Sequence, residues 1–283
     1  MKSRGYWFVL LAACLWGTNG TAQALAPETA QPLIIGTLRI ALGGLALLAV
    51  AALRGKLRDG QGWLFWPTLI GALSMAAYQL FFFNGVARTG VAVGTIVGIG
   101  STPILAGPIG YLVHREKPSR RWVGATLLGV IGCALLVIVG KSIRLDLLGI
   151  FLAACAGGSY AVFATASKRL LEKHAPEAVM AVTFSLGALF VLPLLFTAPL
   201  DWLAQPNGLL VVLHLGLVTA ALGYILFANG LRQVKVATAA TLTLAEPLTA
   251  GLLGFFFLRE PLSLPAFFGI LLIFAGLVLL STE

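Results

Sequence analysis

Charge is what this 283-residue sequence has least of. Asp, Glu, Lys and Arg make up 10% of it, against about 25% in ordinary soluble domains, while 59% is hydrophobic and the mean hydropathy is +0.97. So few polar groups cannot cover a surface in water, which excludes a soluble globular fold and makes the bilayer the solvent. Acidic groups are scarcer still, and the three aspartates, Asp59, Asp146 and Asp201, lie in connections between apolar runs or at their edges. No H-E-x-x-H, G-x-S-x-G or G-x-x-x-x-G-K-[ST] occurs, so the chain offers neither a hydrolytic constellation nor a site for ATP hydrolysis. We expect a protein that is not an enzyme and carries no cofactor or metal. The three cysteines, Cys14, Cys133 and Cys155, sit inside apolar runs at spacings that fit no metal, redox or disulfide pattern. They read as small core residues.

What is abundant is the apolar run of about 20 residues, the length that carries an α-helix across a bilayer. Such runs cover Tyr6–Ala26, Leu33–Leu53, Trp63–Gly85, Gly90–Val113, Trp122–Val139, Leu147–Ala166, Ala178–Leu200, Leu209–Gly230, Val236–Leu258 and Leu264–Leu280. They lack period-two alternation, which excludes a β-barrel. The expected fold is an all-α polytopic membrane protein of ten transmembrane helices. The opening MKSRGYWFVLLAACLWG has the basic and apolar parts of a secretory signal, but the run continues to about Ala26, so it reads as a retained first span. Trp7, Trp63, Trp66, Trp122 and Trp202 fall at span ends, where an amphipathic ring prefers the headgroup level; Trp16 alone falls in mid-helix.

The net charge is +9, yet the basic residues sit in short clusters between the runs, a topology signal rather than a nucleic-acid surface. With a cytoplasmic amino terminus, 14 of the 19 basic residues face the cytoplasm; only Arg88, Lys141, Arg144 and Arg259 lie opposite, and Arg39 is inside the second span. Both termini are therefore expected in the cytoplasm.

Two stretches repeat. YQLFFFNGVARTGVAVGTIVGIGSTPILAGPIGYLVHREKPS, from Tyr78, parallels YILFANGLRQVKVATAATLTLAEPLTAGLLGFFFLREPLS, from Tyr224. Pro103 matches Pro247, Arg115-Glu116 matches Arg259-Glu260, and Ser119 matches Ser263 at an offset of 144; Asn84-Gly85 matches Asn229-Gly230 at 145. Gly5 and Gly149, opening the first and sixth helices, also differ by 144. An offset of half the chain gives two five-helix units, residues 1–142 and 143–283. Because five is odd, they insert with opposite orientation, as inverted repeats around a central cavity. Interrupted helices at matched positions are a mark of secondary transporters, which a channel built of identical subunits would not show.

These features, with LWGTN near the end of helix 1 and the Pro-then-Arg-Glu patterns closing helices 4 and 9, resemble the drug/metabolite transporter superfamily in its ten-helix EamA-type form. Within it the chain is similar to bacterial exporters of aromatic and other neutral amino acids, the YddG type. The resemblance implies a multi-pass exporter of the bacterial cytoplasmic (inner) membrane, with a cavity lined mainly by helices 1, 3, 4, 6, 8 and 9. The same superfamily resemblance covers a lipid or polyprenyl-linked sugar flippase, the alternative reading. A lateral polar groove open to lipid would mark the flippase, and an enclosed cavity the solute exporter.

The residues give candidates for the pathway. Glu246 lies near the middle of helix 9, where a charge costs about 2.5 to 3.5 kcal/mol on insertion scales. It is read either as a proton-coupling or substrate-amine site, as a structural partner, or as a hydrated vestibule residue; its repeat mate is the uncharged Thr102. Pro103 and Pro247 each strip a donor from the carbonyl four residues earlier, that of Ile99 and of Thr243, and are candidate hinges as well as packing kinks. Trp16, Asn19 and Gln23 share one face of helix 1. Tyr78, Gln79 and Phe82 on helix 3, Ser101 and Thr102 on helix 4, Ser159, Tyr160 and Phe163 on helix 6, Tyr224 on helix 8 and Thr243 on helix 9 complete the candidate substrate-binding set. This lining is aromatic and weakly polar, which suits a neutral or zwitterionic amphipathic solute better than a sugar phosphate. Arg39 is read as snorkelling or ion-paired within the bundle, with Glu246 as the candidate partner, His214 as a hydrogen-bonded packing residue with proton relay as the minor reading, Gly94-x-x-x-Gly98 as a helix-packing surface, and the Arg-Glu pairs as caps or interfacial anchors, with a gate as the minor reading. Expected partners are a small-molecule substrate, the lipid bilayer and, as a candidate, protons, with no nucleic acid; a monomer is admissible.

Overall fold

Long apolar runs must satisfy their backbone internally when water is absent, and they do so here as helices. The structure is a computed structural model that describes residues 2–57, 62–138, 146–257, 259 and 263–282. Arg58, Asp59, Val139, Lys141, Arg144, Leu258, Glu260 and the expected unit boundary at 142–143 lie outside the described residues.

Ten helical segments follow one another: α1 (Lys2–Ala24), α2 (Pro32–Leu53), α3 (Phe65–Gly90), α4 (Val93–His114), α5 (Arg120–Ile138), α6 (Leu147–Leu171), α7 (Pro176–Thr197), α8 (Pro206–Leu231), α9 (Val236–Phe256) and α10 (Leu264–Ser281). Among the described residues no strand occurs. Eight of the segments are long and apolar enough to cross a membrane; α1 and α5 are not among them. Both carry polar groups: Thr18, Asn19, Thr21 and Gln23 in α1, Arg120 and Arg121 at the start of α5. The ten-span count therefore stays an expectation, with eight met by length and composition. Large apolar side chains such as Leu45, Phe151, Leu189 and Phe274 are exposed along the helices, an outer surface that fits hydrocarbon rather than water.

Local chemistry sets the breaks. Gly90 adopts φ 82°, ψ 162°, a backbone open to glycine, and turns α3 into α4. The α-helix of α7 ends at Val191 and gives way to a 3₁₀ turn over Leu192–Thr197, next to Pro193, which has no backbone donor. Helix α8 changes register in its middle, where His214–Leu222 form a π-helix. Helix α9 is interrupted at Thr243–Leu244, between Val236–Leu242 and Ala245–Phe256.

The repeat is visible in matched details. Asn84 donates to the Leu80 carbonyl at 2.8 Å, and its mate Asn229 to that of Ile225 at 2.7 Å. Arg115 and Arg259 are both left-handed, at φ 58° and 54°. Ser119 accepts from Trp122 N at 3.0 Å and Ser263 from Ala266 N at 3.3 Å, so each serine caps the next helix. In the first half the Arg-Glu-x-x-Ser pattern is a turn chemistry: the αL residue Arg115 ends one helix and Ser119 starts the next.

Packing crosses between the halves. Helix α1 lies on α8, where a Cβ on Gly5 would come 3.3 Å from the Gly230 carbonyl oxygen. Its counterpart α6 lies on α3, where a Cβ on Gly149 would come 3.3 Å from that of Gly85. The two crossings are repeat mates at opposite ends of the bundle, as an inverted pair requires. Close approach of small residues is what holds helices together where lipid offers no hydrophobic drive.

The two ends differ. At the end holding both termini, Glu116 pairs with Lys168 of α6 at 2.5 Å and accepts from Val236 N, the first residue of α9, at 2.8 Å. Lys168 also donates to the Val234 carbonyl, Lys235 reaches Lys117 O at 2.9 Å, and Arg121 donates to the Thr282 carbonyl. At the other end, α1, α8 and α9 part around a cavity of about 390 Å³ lined by Thr18, Thr21, Ala22, Leu25, Asn207, Leu210, Val211, His214, Leu253 and Phe257.

Candidate functional site

Midway along the bundle, six residues of the expected set converge on one small cavity. Trp16, Tyr78, Thr102, Tyr160, Thr243 and Glu246 line it, together with Gly98 and Ile99. Three of its pairs are repeat mates at an offset of 144: Trp16 with Tyr160, Ile99 with Thr243, and Thr102 with Glu246. The cavity therefore lies where the two halves meet on equal terms. Each matched pair differs in chemistry, with the more polar member in the second half in every case.

Proline geometry accounts for part of the lining. Ile99 and Thr243 are the residues whose carbonyls lose a donor to Pro103 and Pro247. In hydrocarbon such groups sit at a cavity or against protein, and both residues are at this cavity. The consequences differ: α4 continues through Pro103, whereas α9 breaks, and the Thr243 carbonyl takes the Glu246 N–H at 2.9 Å. Ala245–Phe256 begins afresh at the break and places Glu246 in its first turn, where a helix N-terminus favours negative charge.

Aromatic rings form the wall. Trp16 meets Tyr224 at 4.7 Å between centroids, Phe227 at 5.4 Å and Tyr160 edge-on at 6.2 Å; Tyr78 meets Tyr160 at 5.7 Å and stacks on Phe82. The Trp16 indole donates to the Thr219 carbonyl at 2.9 Å, within the π segment of α8, and Thr18 bonds His214 at 2.8 Å in the same segment. A π stretch widens the turn and offers carbonyls that an α-helix keeps engaged, a recurrent device at functional sites.

The remaining expected residues take other places. Asn19 stands beside the Glu246 side chain, from α1. Phe163 and Tyr224 are buried behind the wall, and Gln79 is buried beside it, bonded to Arg39. Ser101 bonds the Gly98 carbonyl in its own helix and packs against Gly157 of α6. Gln23 and Ser159 are half-buried and outside the lining. Gly98, expected to serve packing alone, lines the cavity; only its i−4 step from Thr102 hinted at this. The π segment had no signal in the sequence. The volume is about 20 Å³, room for a water molecule and no larger solute.

Comparison with known proteins gives one answer along the whole chain. The model of the EamA-like transporter family matches residues 3–138 and again 147–282. The uncharacterized transporter YwfM of Bacillus subtilis is 42% identical over 97% of this chain and 92% of its own length. Protein PecM of Dickeya dadantii is 27% identical over 97% of this chain and 91% of its own. A protein known from a crystal structure shares the fold, with a TM-score of 0.84, 22% identity, and coverage of 99% of this chain and 96% of that one.

Proposed function

The chain belongs to the EamA-like transporter family, and on that footing we propose that it exports small amphipathic metabolites, amino acids including aromatic ones, through the central cavity. The observation that carries this reading is the convergence of repeat-mated residues on one mid-bundle site with aromatic walls and a single carboxylate, Glu246. Such a lining holds a flat apolar body by ring contact and a polar head by charge.

The two ends suggest how the solute passes. In our reading the end with both termini is cytoplasmic, in keeping with the basic residues gathered there. Glu116, Lys168 and the start of α9 tie that end shut, while the 390 Å³ cavity lies toward the far side. Alternating access exchanges these conditions, with Pro247 and the break before it as the hinge of α9 and Pro103 as the stiffer hinge of α4. Glu246 is the group through which protons would couple to the movement.

The test is efflux of labelled L-phenylalanine and L-threonine from liposomes that hold the purified protein, with and without a pH gradient. Loss of label above that of protein-free vesicles supports the reading. Retention of every amino acid under every gradient refutes it. A lipid flippase is the second reading, favoured by the outer cavity between α1, α8 and α9, whose exposed Leu25 and Leu210 suit an acyl chain. Scrambling of labelled lipid in the same vesicles distinguishes it.

A further inference from the structure

Among the described residues, two ionisable side chains deep in the bundle, Arg39 in the first half and Glu246 in the second, belong to no ion pair. The ion pairs among the described residues, such as Arg54–Glu177 and Arg88–Asp146, sit at the bundle's ends and include neither Arg39 nor Glu246. Both residues replace a neutral mate. Thr183 stands 144 residues after Arg39 and bonds the Val179 carbonyl; Thr102 stands 144 before Glu246 and bonds that of Gly98. The repeat fold therefore holds a neutral residue at each mated position, and a charge in the bilayer is costly to insert.

Each has an amide side chain beside it with one buried, unused atom of the fitting sign. Arg39 donates to Gln79 Oε1 at 3.3 Å, and Gln79, 2% exposed, has no partner for its Nε2, a spare donor. Asn19 stands beside Glu246 and has no partner for its buried Oδ1, a spare acceptor. One place thus has a spare amide N–H group beside a guanidinium, the other a spare amide oxygen beside a carboxyl group. Tyr78, next to Gln79 on α3, lines the same aromatic cavity as Glu246. Along the membrane normal, seven residues of α2 put Arg39 about 10 Å in from the far end, and ten residues of α9 put Glu246 about 15 Å in from the near one.

We propose that Arg39 with Gln79 is the carboxylate-recognising half of the transport site and Glu246 with Asn19 the ammonium-recognising half. The site is thereby selective for a zwitterion, bound with its carboxylate toward the end opposite the termini and its apolar side chain against Trp16 and Tyr160. This rests on the reading of the central cavity as the transport site. It adds Arg39, absent from the residues expected to bind substrate, and it orients the substrate.

The experiment uses full-length protein in liposomes and measures inhibition of L-phenylalanine transport by phenethylamine, which lacks the carboxylate, and by 3-phenylpropionate, which lacks the ammonium. In the native protein unlabelled L-phenylalanine inhibits best. In Arg39→Gln its advantage over phenethylamine falls by about ten- to hundredfold, the worth of a charge-assisted hydrogen bond. In Glu246→Gln its advantage over 3-phenylpropionate falls by a similar factor, and Arg39→Lys keeps most of the native preference. Each ratio is taken within one variant, so a loss of folded protein does not alter it. Ratios that stay at the native value in both Gln variants overturn the proposal while leaving the transport site intact. A native protein that moves no amino acid overturns the transport reading and this inference with it.

Discussion

Helices α4 and α9 are repeat mates with a proline at the same place, yet one runs on and the other breaks. Around Pro103 the chain remains helical from Val93 to His114; before Pro247 it opens into a turn at Thr243–Leu244. Both prolines are buried and both remove the same donor. The difference lies in what surrounds them. Thr102 satisfies itself on the Gly98 carbonyl within α4, while Glu246 brings a charge, and the new helix start at Ala245 gives that charge a favourable terminus. In this pair the break falls where the residue beside the proline is the carboxylic one.

That contrast can be tested pair by pair. The largest effect is expected at the unlike pair: Glu246→Ala should lower L-phenylalanine efflux from liposomes by about ten- to hundredfold, and Thr102→Ala by no more than a few-fold. Next come the like residues in unlike helices. Pro247→Ala restores a backbone donor and closes the turn, so efflux should fall by about tenfold; Pro103→Ala, in a helix already continuous, should change it by less than half that factor. The tied end comes third. In a Cys14→Ser background, a cysteine at Val236 should react with a water-soluble thiol reagent about five- to thirtyfold faster when Glu116 is changed to Gln, since a half-buried ion pair and a helix cap are lost together. The smallest effect is also the most symmetric: Ser119→Ala and Ser263→Ala should each cost about 1 kcal/mol in detergent unfolding, because each removes one N-cap.

Much of the architecture was legible because the bilayer imposes a coarse code. Apolar runs placed the helices to within a few residues, and the matched Asn-Gly, Pro and Arg-Glu-x-x-Ser placed the repeat. Residues whose chemistry is dear in hydrocarbon, Glu246 and the Trp16 face, pointed to the cavity for the same reason. What escaped was decided by packing between distant helices. Arg39 gave no sign of sitting beside Gln79, forty residues on, and no local pattern encodes the π register of His214–Leu222, where α8 bonds Trp16 and Thr18 of α1. Gly98 was read for its spacing to Gly94, although its neighbours are Phe82 and α6.

The exchange of partners between the halves bears on how the protein is made. Helix α1 has its crossing partner in α8, and Trp16 finds its acceptor 203 residues later. It must wait in the membrane, its polar face bearing Thr18 and Asn19 uncovered, until most of the chain has been inserted. Neither half can reach its final packing alone, so assembly is a late and concerted event, slow in the manner of folds dominated by distant contacts. The symmetry that builds one site from two similar halves also makes each half dependent on the other from the start.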